Sequence, residues 1–177
     1  SSAASDVYKR QAHTDLVKKL DYECELAVVL GRDARDVPAG QTRDYIFGYT
    51  ILNDVSARDV QTAHKQWYFG KSLDGFTPIG PCIVTADAFA DYPPKLGIRS
   101  FVNGEKRQDS NTALQIFDID HVIAELSQGM TLKAGTIIAT GTPAGVGMGM
   151  DPPQFLKPGD VVRCEIDGIG TLTNPVE

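Results

Sequence analysis

The stretch that decides the fold is DYECELAVVL at residues 21–30, which has the pattern of a β-strand. Its second half is apolar and rich in β-branched residues, and Gly31 follows it. Because alternate residues of a strand share a face, Glu23 and Glu25 are predicted to point to the same side. The sequence therefore predicts a strand that carries two neighbouring carboxylates on one face.

Two carboxylates side by side repel each other, and burying them without a partner costs several kcal/mol for each group. A positive group is therefore expected between Glu23 and Glu25, either a basic side chain or a divalent metal ion. Ligand sets made only of oxygen favour Mg²⁺, Mn²⁺ or Ca²⁺ over zinc. The alternative interpretation is a solvent-facing acidic strip on an edge strand, since most carboxylates in proteins are exposed.

Composition places the chain among ordinary globular proteins. Its 177 residues, 42% of them hydrophobic, suit one domain with a real core. A net charge of −6 argues against a nucleic-acid partner, and no apolar run approaches the roughly 18 residues that span a membrane. Three widely spaced cysteines indicate reduced thiols rather than a zinc site. We expect a cytoplasmic protein without a membrane partner.

The chain is divided into a tail and one domain. Residues 1–19 are small, polar and basic, and we interpret them as an N-terminal tail that is either non-native or truncated. Residues 20–177 alternate short strand patterns with turn signals, such as the hairpin dipeptide Asn103-Gly104. The clearest helix covers residues 118–128. Strands outnumber helices, which predicts an α+β, mainly β domain.

Polar side chains cluster in three segments at strand ends or in glycine-rich loops: residues 54–61, 71–74 and 141–147. Asp54 would complete a three-carboxylate oxygen site with the two glutamates. Arg58 or Lys71 can hold an anionic substrate, and Thr142 can offer hydroxyl and amide donors to a carboxylate. The alternatives are a turn residue for Asp54, surface cations for Arg58 and Lys71, and a plain connector for the last loop.

These segments, in this order, resemble the fumarylacetoacetate hydrolase superfamily. The resemblance runs from about Leu20 to the end of the chain and rests on several blocks beyond the first strand. These blocks are GYT at 48–50, NDVSARD at 53–59, QW at 66–67, GKSLDGF at 70–76, PIGP at 78–81, VNGE at 102–105, RQ at 107–108, TGTPAGVG at 140–147 and LKPGD at 156–160.

The resemblance implies a mixed β-roll of the C-terminal domain type of that superfamily, and a homodimer. It also implies a divalent cation, with Mg²⁺ expected first and Mn²⁺ or Ca²⁺ as alternatives. By resemblance its ligands are Glu23, Glu25 and Asp54, which agrees with the oxygen site predicted from the strand.

The resemblance also assigns the substrate pocket. It places Lys71 beside the metal and the substrate, as the candidate catalytic residue. Arg58 and Gln61 match substrate-binding positions, and Thr142 matches the residue that receives the substrate carboxylate. The implied general base is a His and Glu pair upstream of the metal strand, but the sequence contains no His-x-x-Glu. His64 is a substitute candidate, whose alternative role is that of a surface or packing histidine.

The implied activity is that of a metal-dependent hydrolase or lyase. It would cleave a C–C bond in a 2-keto or 1,3-diketo acid, such as a fumarylacetoacetate- or acylpyruvate-like substrate, through a metal-stabilised enolate. One alternative is a 2-hydroxyhepta-2,4-diene-1,7-dioate isomerase or decarboxylase, a hydratase or a ureidoglycolate lyase of the same superfamily. Another is a truncated, inactive homologue that only binds metal.

Overall fold

The computed structural model describes residues 15–63 and 65–177. Most of the predicted tail and the candidate base His64 lie outside these residues, so the tail boundary and the role of His64 stay predictions. The strands are β1 (Leu20–Asp21), β2 (Cys24–Leu30), β3 (Ile46–Asn53), β4 (Ser56–Ala57), β5 (Ile79–Thr85), β6 (Gly97–Val102), β7 (Glu105–Asn111), β8 (Ile137–Ala139), β9 (Val161–Ile166) and β10 (Gly170–Pro175). The helices are α1 (Arg58–Ala63), α2 (Tyr68–Lys71) and α3 (Ile119–Ser127).

The strands form two four-stranded sheets, ordered β5-β3-β2-β8 and β10-β9-β6-β7, and a small pair of β1 with β4. Neighbouring strands pair antiparallel in all three. Buried apolar side chains from both large sheets, such as Leu26 of β2 and Ile166 of β9, belong to one core cluster. The predicted α+β, mainly β class is confirmed.

Strand β2 lies inside its sheet, between β3 and β8, and all seven of its residues are buried. An interior strand covered on both faces reads as a nearly continuous apolar run, which explains the sequence from Leu26 to Leu30. Because β2 is interior and buried, the alternative of an exposed acidic strip on an edge strand is excluded. The predicted strand over 21–30 is divided in two, because Asp21 pairs with Ser56 of β4 before β2 begins.

Two local predictions are confirmed in detail. Asn103 and Gly104 join β6 to β7 with φ angles of 52° and 85°, as a two-residue hairpin turn of the primed type requires. Helix α3 begins after Asp118, whose Oδ1 accepts a hydrogen bond of 2.8 Å from the backbone N–H of His121. In the described part of the chain, no helix has the length and apolar character needed to cross a membrane.

Candidate metal centre

The register of β2 against β3 brings three carboxylates together. Cys24 lies opposite Asn53, so the start of β2 meets the end of β3, and the N–H of Asp54 donates to the carbonyl of Glu23 at 2.9 Å. The carboxylates of Glu23, Glu25 and Asp54 each offer an oxygen within 4.8 Å of the others. The two glutamates are buried and Asp54 is partly buried. The three residues predicted as metal ligands therefore share one site, although their role as ligands stays a prediction.

Two basic side chains reach into this cluster. Lys71, at the end of α2, places Nζ 2.8 Å from Oε2 of Glu23 and 2.7 Å from Oδ2 of Asp54. Arg58, at the start of α1, places Nη1 2.6 Å from Oε1 of Glu23. Both candidate substrate cations are thus held at the carboxylates rather than spread over the surface.

Burial acts on the pKa values of two of these carboxylates in spite of the two cations. Burial, together with the negative charges of Asp54 and Glu23, raises the pKa of Glu25 from its ordinary 4.5 to about 7, against the lowering effect of the Gly141 N–H and Lys71. Burial also raises the pKa of Asp54, although Lys71 opposes the shift. A divalent cation would offset the cost of burying these charged carboxylates. A ligand set made only of carboxylate oxygens suits a hard ion such as Mg²⁺. The residues present therefore fit the metal that the sequence predicts.

A fourth carboxylate supports the site and was missed from the sequence. The side chain of Asp21 is fully buried, and its Oδ2 lies 2.9 Å from Nε of Arg58. Backbone N–H groups of Gly147 and Met148 donate to the same carboxylate at 2.7 and 2.9 Å. Asp21 precedes Glu23 and Glu25 at the same two-residue spacing, and that alternation was the signal for it. It fixes one edge of the Arg58 guanidinium.

Gln61 and Arg58 lie one helical turn apart on α1. Oε1 of Gln61 accepts a hydrogen bond of 3.2 Å from Nη1 of Arg58, and both side chains are buried. This contact places Gln61 next to the carboxylate cluster, and its substrate-binding role stays a prediction. With Asp21 and Glu23, it gives the guanidinium three partners.

Thr142 lies along the edge of β2. Its Oγ1 donates to the carbonyl of Cys24 at 2.9 Å and accepts a hydrogen bond of 2.8 Å from Nε2 of Gln108. The preceding residue, Gly141, donates its N–H to Oε2 of Glu25 at 2.8 Å. The loop of residues 140–147 is therefore fastened to the strand that carries the carboxylates. Gln108 is a second residue that sequence reasoning left without a role.

The described residues do not identify a general base. His121 is their one histidine; it lies exposed on α3 and stacks on the Phe117 ring at a centroid distance of 4.8 Å. The arrangement can bind a cation, bind an anion beside it, and present the Lys71 ammonium to both.

Comparisons with known proteins indicate the family of the chain. Residues 3–177 match the family model described as fumarylacetoacetate (FAA) hydrolase C-terminal. The oxaloacetate tautomerase YisK of Bacillus subtilis is 48% identical over 166 residues, which make up 94% of this chain and 55% of that protein.

Two solved structures have the same fold. A fumarylacetoacetate hydrolase from Exiguobacterium antarcticum superposes with a TM-score of 0.92 at 50% identity, over 96% of this chain and 60% of that one. A 2-hydroxyhepta-2,4-diene-1,7-dioate isomerase from Mycobacterium marinum gives 0.84 at 44% identity, over 96% and 62%. The fold class expected from the sequence is confirmed. The chain spans only 55% to 62% of the length of these three relatives.

Proposed function

The chain belongs to the fumarylacetoacetate hydrolase family, and from that premise we propose that it is a metal-dependent enzyme that forms the enolate of a 2-keto acid. Keto–enol tautomerisation or isomerisation is the net reaction that we propose first. The names of relatives 48% and 44% identical, a tautomerase and an isomerase, support it. The observation that carries the proposal is the buried three-carboxylate cluster with Lys71 and Arg58 held against it.

In this proposal Glu23, Glu25 and Asp54 hold the divalent ion, with Mg²⁺ the first candidate and Mn²⁺ or Ca²⁺ as alternatives. When bound, such an ion polarises the keto group and offsets the negative charge of the enolate. The described side chains bind and orient the substrate around that ion.

Arg58 and Lys71 bind and orient the anionic substrate. The Arg58 guanidinium is fixed by Asp21, Glu23 and Gln61, so it can present its remaining N–H groups to an anion without reorganising. The Lys71 ammonium lies between Glu23 and Asp54 and holds protons at Nζ, where it can donate a hydrogen bond to the enolate oxygen. Thr142 is the proposed contact for the substrate carboxylate.

C–C bond cleavage in an acylpyruvate-like acid is the second candidate. The relative named as a fumarylacetoacetate hydrolase supports it, with a TM-score of 0.92. Cleavage leaves the same kind of enolate, but it also requires a base that activates water, and such a base contributes about 10²–10⁴-fold. Tautomerisation also moves a proton between carbon and oxygen, but it needs no attacking water, so cleavage, which needs both, ranks second.

Metal binding is tested by titration calorimetry with Mg²⁺ and Mn²⁺. Binding is expected for the parent chain and should be greatly weakened by Glu23→Gln and by Asp54→Asn, because each change removes one charged ligand. Asp44→Asn is the matched control, since this aspartate is 80% exposed and lies away from the cluster. Equal affinity in the parent and both ligand variants would refute the metal centre.

The reaction is tested by turnover with Mg²⁺ present. Oxaloacetate should convert between its enol and keto forms faster with the chain than without it, and an acylpyruvate should be cleaved slowly or not at all. Lys71→Met should lower the rate of the Mg²⁺-bound protein, and it should also lower the free energy of unfolding because it leaves two largely buried carboxylates without this cation. Fast acylpyruvate cleavage without tautomerisation would promote the second candidate. Metal binding with no turnover of either acid would favour the inactive homologue.

Three further expectations belong to the proposal. The partner is a small keto acid rather than nucleic acid, consistent with the net charge of −6. The three free cysteines fit a cytoplasmic location. A homodimer is expected from the family, and sedimentation of the purified chain would measure it.

A further inference from the structure

We propose that Gln108 is a positioning residue that couples the metal-ligand strand to the loop that receives the substrate carboxylate. The inference rests on the proposed function of that site. Gln108 lies on β7, in the other large sheet, and its side chain is fully buried. Its amide group bridges β2 and the loop of residues 140–147.

The side-chain oxygen of Gln108 holds the backbone between the proposed ligands Glu23 and Glu25. Oε1 of Gln108 accepts a hydrogen bond of 3.1 Å from the N–H of Cys24. Cys24 lies between Glu23 and Glu25, so its peptide groups are the base from which both carboxylates project. Fixing that amide limits how far the two ligands can move apart.

The donors of the same amide hold the substrate loop. Nε2 of Gln108 donates to Oγ1 of Thr142 and to the carbonyl of Pro143, both at 2.8 Å. A primary amide has two N–H donors, so both are used. Since Thr142 donates its hydroxyl proton to the carbonyl of Cys24, these three residues close a ring of hydrogen bonds.

This ring determines what Thr142 can offer a substrate. Its hydroxyl proton is committed to Cys24, which leaves the backbone N–H of Thr142 as the donor to a substrate carboxylate. The position of that N–H depends on the hydrogen bonds from Gln108 to the loop. The backbone N–H of Gly141, the residue before Thr142, donates to the carboxylate of Glu25. A change at Gln108 is therefore expected to disturb the metal ligands and the carboxylate contact together, as partners behind a metal ligand do.

The neighbouring Ser100 shows that a buried polar side chain beside Gln108 does not by itself bond to β2 or to the loop of residues 140–147. Ser100 of β6 lies opposite Gln108 in the register and is equally buried. Its hydroxyl has no hydrogen-bond partner among the described residues. Ser100→Ala is therefore a matched control that removes a buried polar atom from the same spot without touching the ring.

The test measures Mg²⁺-dependent binding of oxalate, a small 2-keto acid mimic, by calorimetry on the full chain. Gln108→Met, which has a similar size and cannot form the ring, should weaken oxalate binding about tenfold or more and also weaken Mg²⁺ binding. Gln108→Glu keeps an acceptor for Cys24 but loses the donors to the loop. It should weaken oxalate binding while retaining most of the Mg²⁺ affinity. Ser100→Ala should bind both ligands as the parent does.

Stability is measured in parallel, because a purely structural role predicts a different pattern. Ile166→Ala, in the core of the same sheet, lowers the melting temperature without altering a group of the site. If the Gln108 variants lose stability as Ile166→Ala does and still bind oxalate like the parent, the inference is overturned. If Gln108→Met does not fold, the same comparison of stability and oxalate affinity is made with the isosteric Gln108→Glu.

A double-mutant cycle with Thr142→Val tests the route of the effect. When Gln108 acts through Thr142, adding Gln108→Met to Thr142→Val should cost much less oxalate affinity than Gln108→Met costs alone. If the two substitutions lower oxalate affinity additively, the proposed coupling of Gln108 through Thr142 is wrong. A parent chain that binds neither Mg²⁺ nor oxalate would instead refute the proposed function itself, which separates the two failures.

Discussion

At the scale of the residue, the site is a set of buried carboxylates with unequal partners. Glu23 contacts both Arg58 and Lys71, whereas Glu25 accepts from the backbone N–H of Gly141. A carboxylate that lacks a close cation is the one whose burial costs most. Glu25, whose pKa is raised to about 7, is therefore the carboxylate that a bound metal ion would stabilise most.

This shift predicts a dependence of stability on pH in the presence of a chelator. The folded protein binds the Glu25 proton more tightly than the unfolded chain, whose pKa is near the ordinary 4.5. Stability from this group is present at low pH and is lost as the pH rises from about 4.5 to about 7. Relative to Glu25→Gln, the melting temperature of the parent should fall over that window and then level off. Parallel curves for the two proteins would contradict the assignment.

At the scale of the element, the loop of residues 140–147 is built to lie against β7. Gly145 has a φ of +109°, and a Cβ added there would meet the carbonyl oxygen of Arg107 at 2.2 Å. The carbonyl of Gly145 accepts a hydrogen bond of 2.8 Å from the hydroxyl of Tyr22. Only glycine permits both the backbone conformation and this close approach.

Gly145→Ala is therefore expected to destabilise the fold by about 1–3 kcal/mol and to weaken oxalate binding, because the loop must move away from β7. Gly149→Ala is the control, since a Cβ there meets nothing closer than the Val146 side chain at 3.8 Å. Chemical denaturation gives the stability, and calorimetry gives the affinity. Equal behaviour of the two alanine variants would show that the close packing of the loop is unimportant.

At the scale of the whole molecule, the candidate metal centre joins parts of the chain that are far apart in sequence. The end of β3, the start of β2 and the C-terminal end of α2 all meet there, and the loop after β8 closes it. An ion bound at this point contacts only the folded state. Its binding free energy is then added to the stability of the fold.

Mg²⁺ should therefore stabilise the entire domain. At a free concentration 100 times its dissociation constant, the expected gain is about 2.7 kcal/mol in the free energy of unfolding. For a domain of this size that corresponds to roughly 5–11 °C in melting temperature. Asp54→Asn should abolish the gain, while Asp44→Asn should keep it. A melting temperature indifferent to Mg²⁺ in the parent would contradict the proposed site.

The sequence by itself determined the features that depend on local pattern. Alternation predicted that Glu23 and Glu25 point to the same side. Their carboxylates do lie together, although Glu23 directly precedes β2 rather than belonging to it. Asn103-Gly104 specified its hairpin and Asp118 its helix start, because turn and cap preferences act within a few residues. Motif order was enough to indicate the family, which the comparisons then confirmed.

Only the tertiary structure decided which side chains meet. The bond of Lys71 to Glu23 spans 48 residues, and that of Gln108 to Cys24 spans 84. The periodicity of the sequence does not predict such contacts, since they depend on sheet register and on how the two sheets pack. The same holds for Asp21, a surface carboxylate by residue type, which became a fully buried partner of Arg58 because β1 pairs with β4 directly before α1.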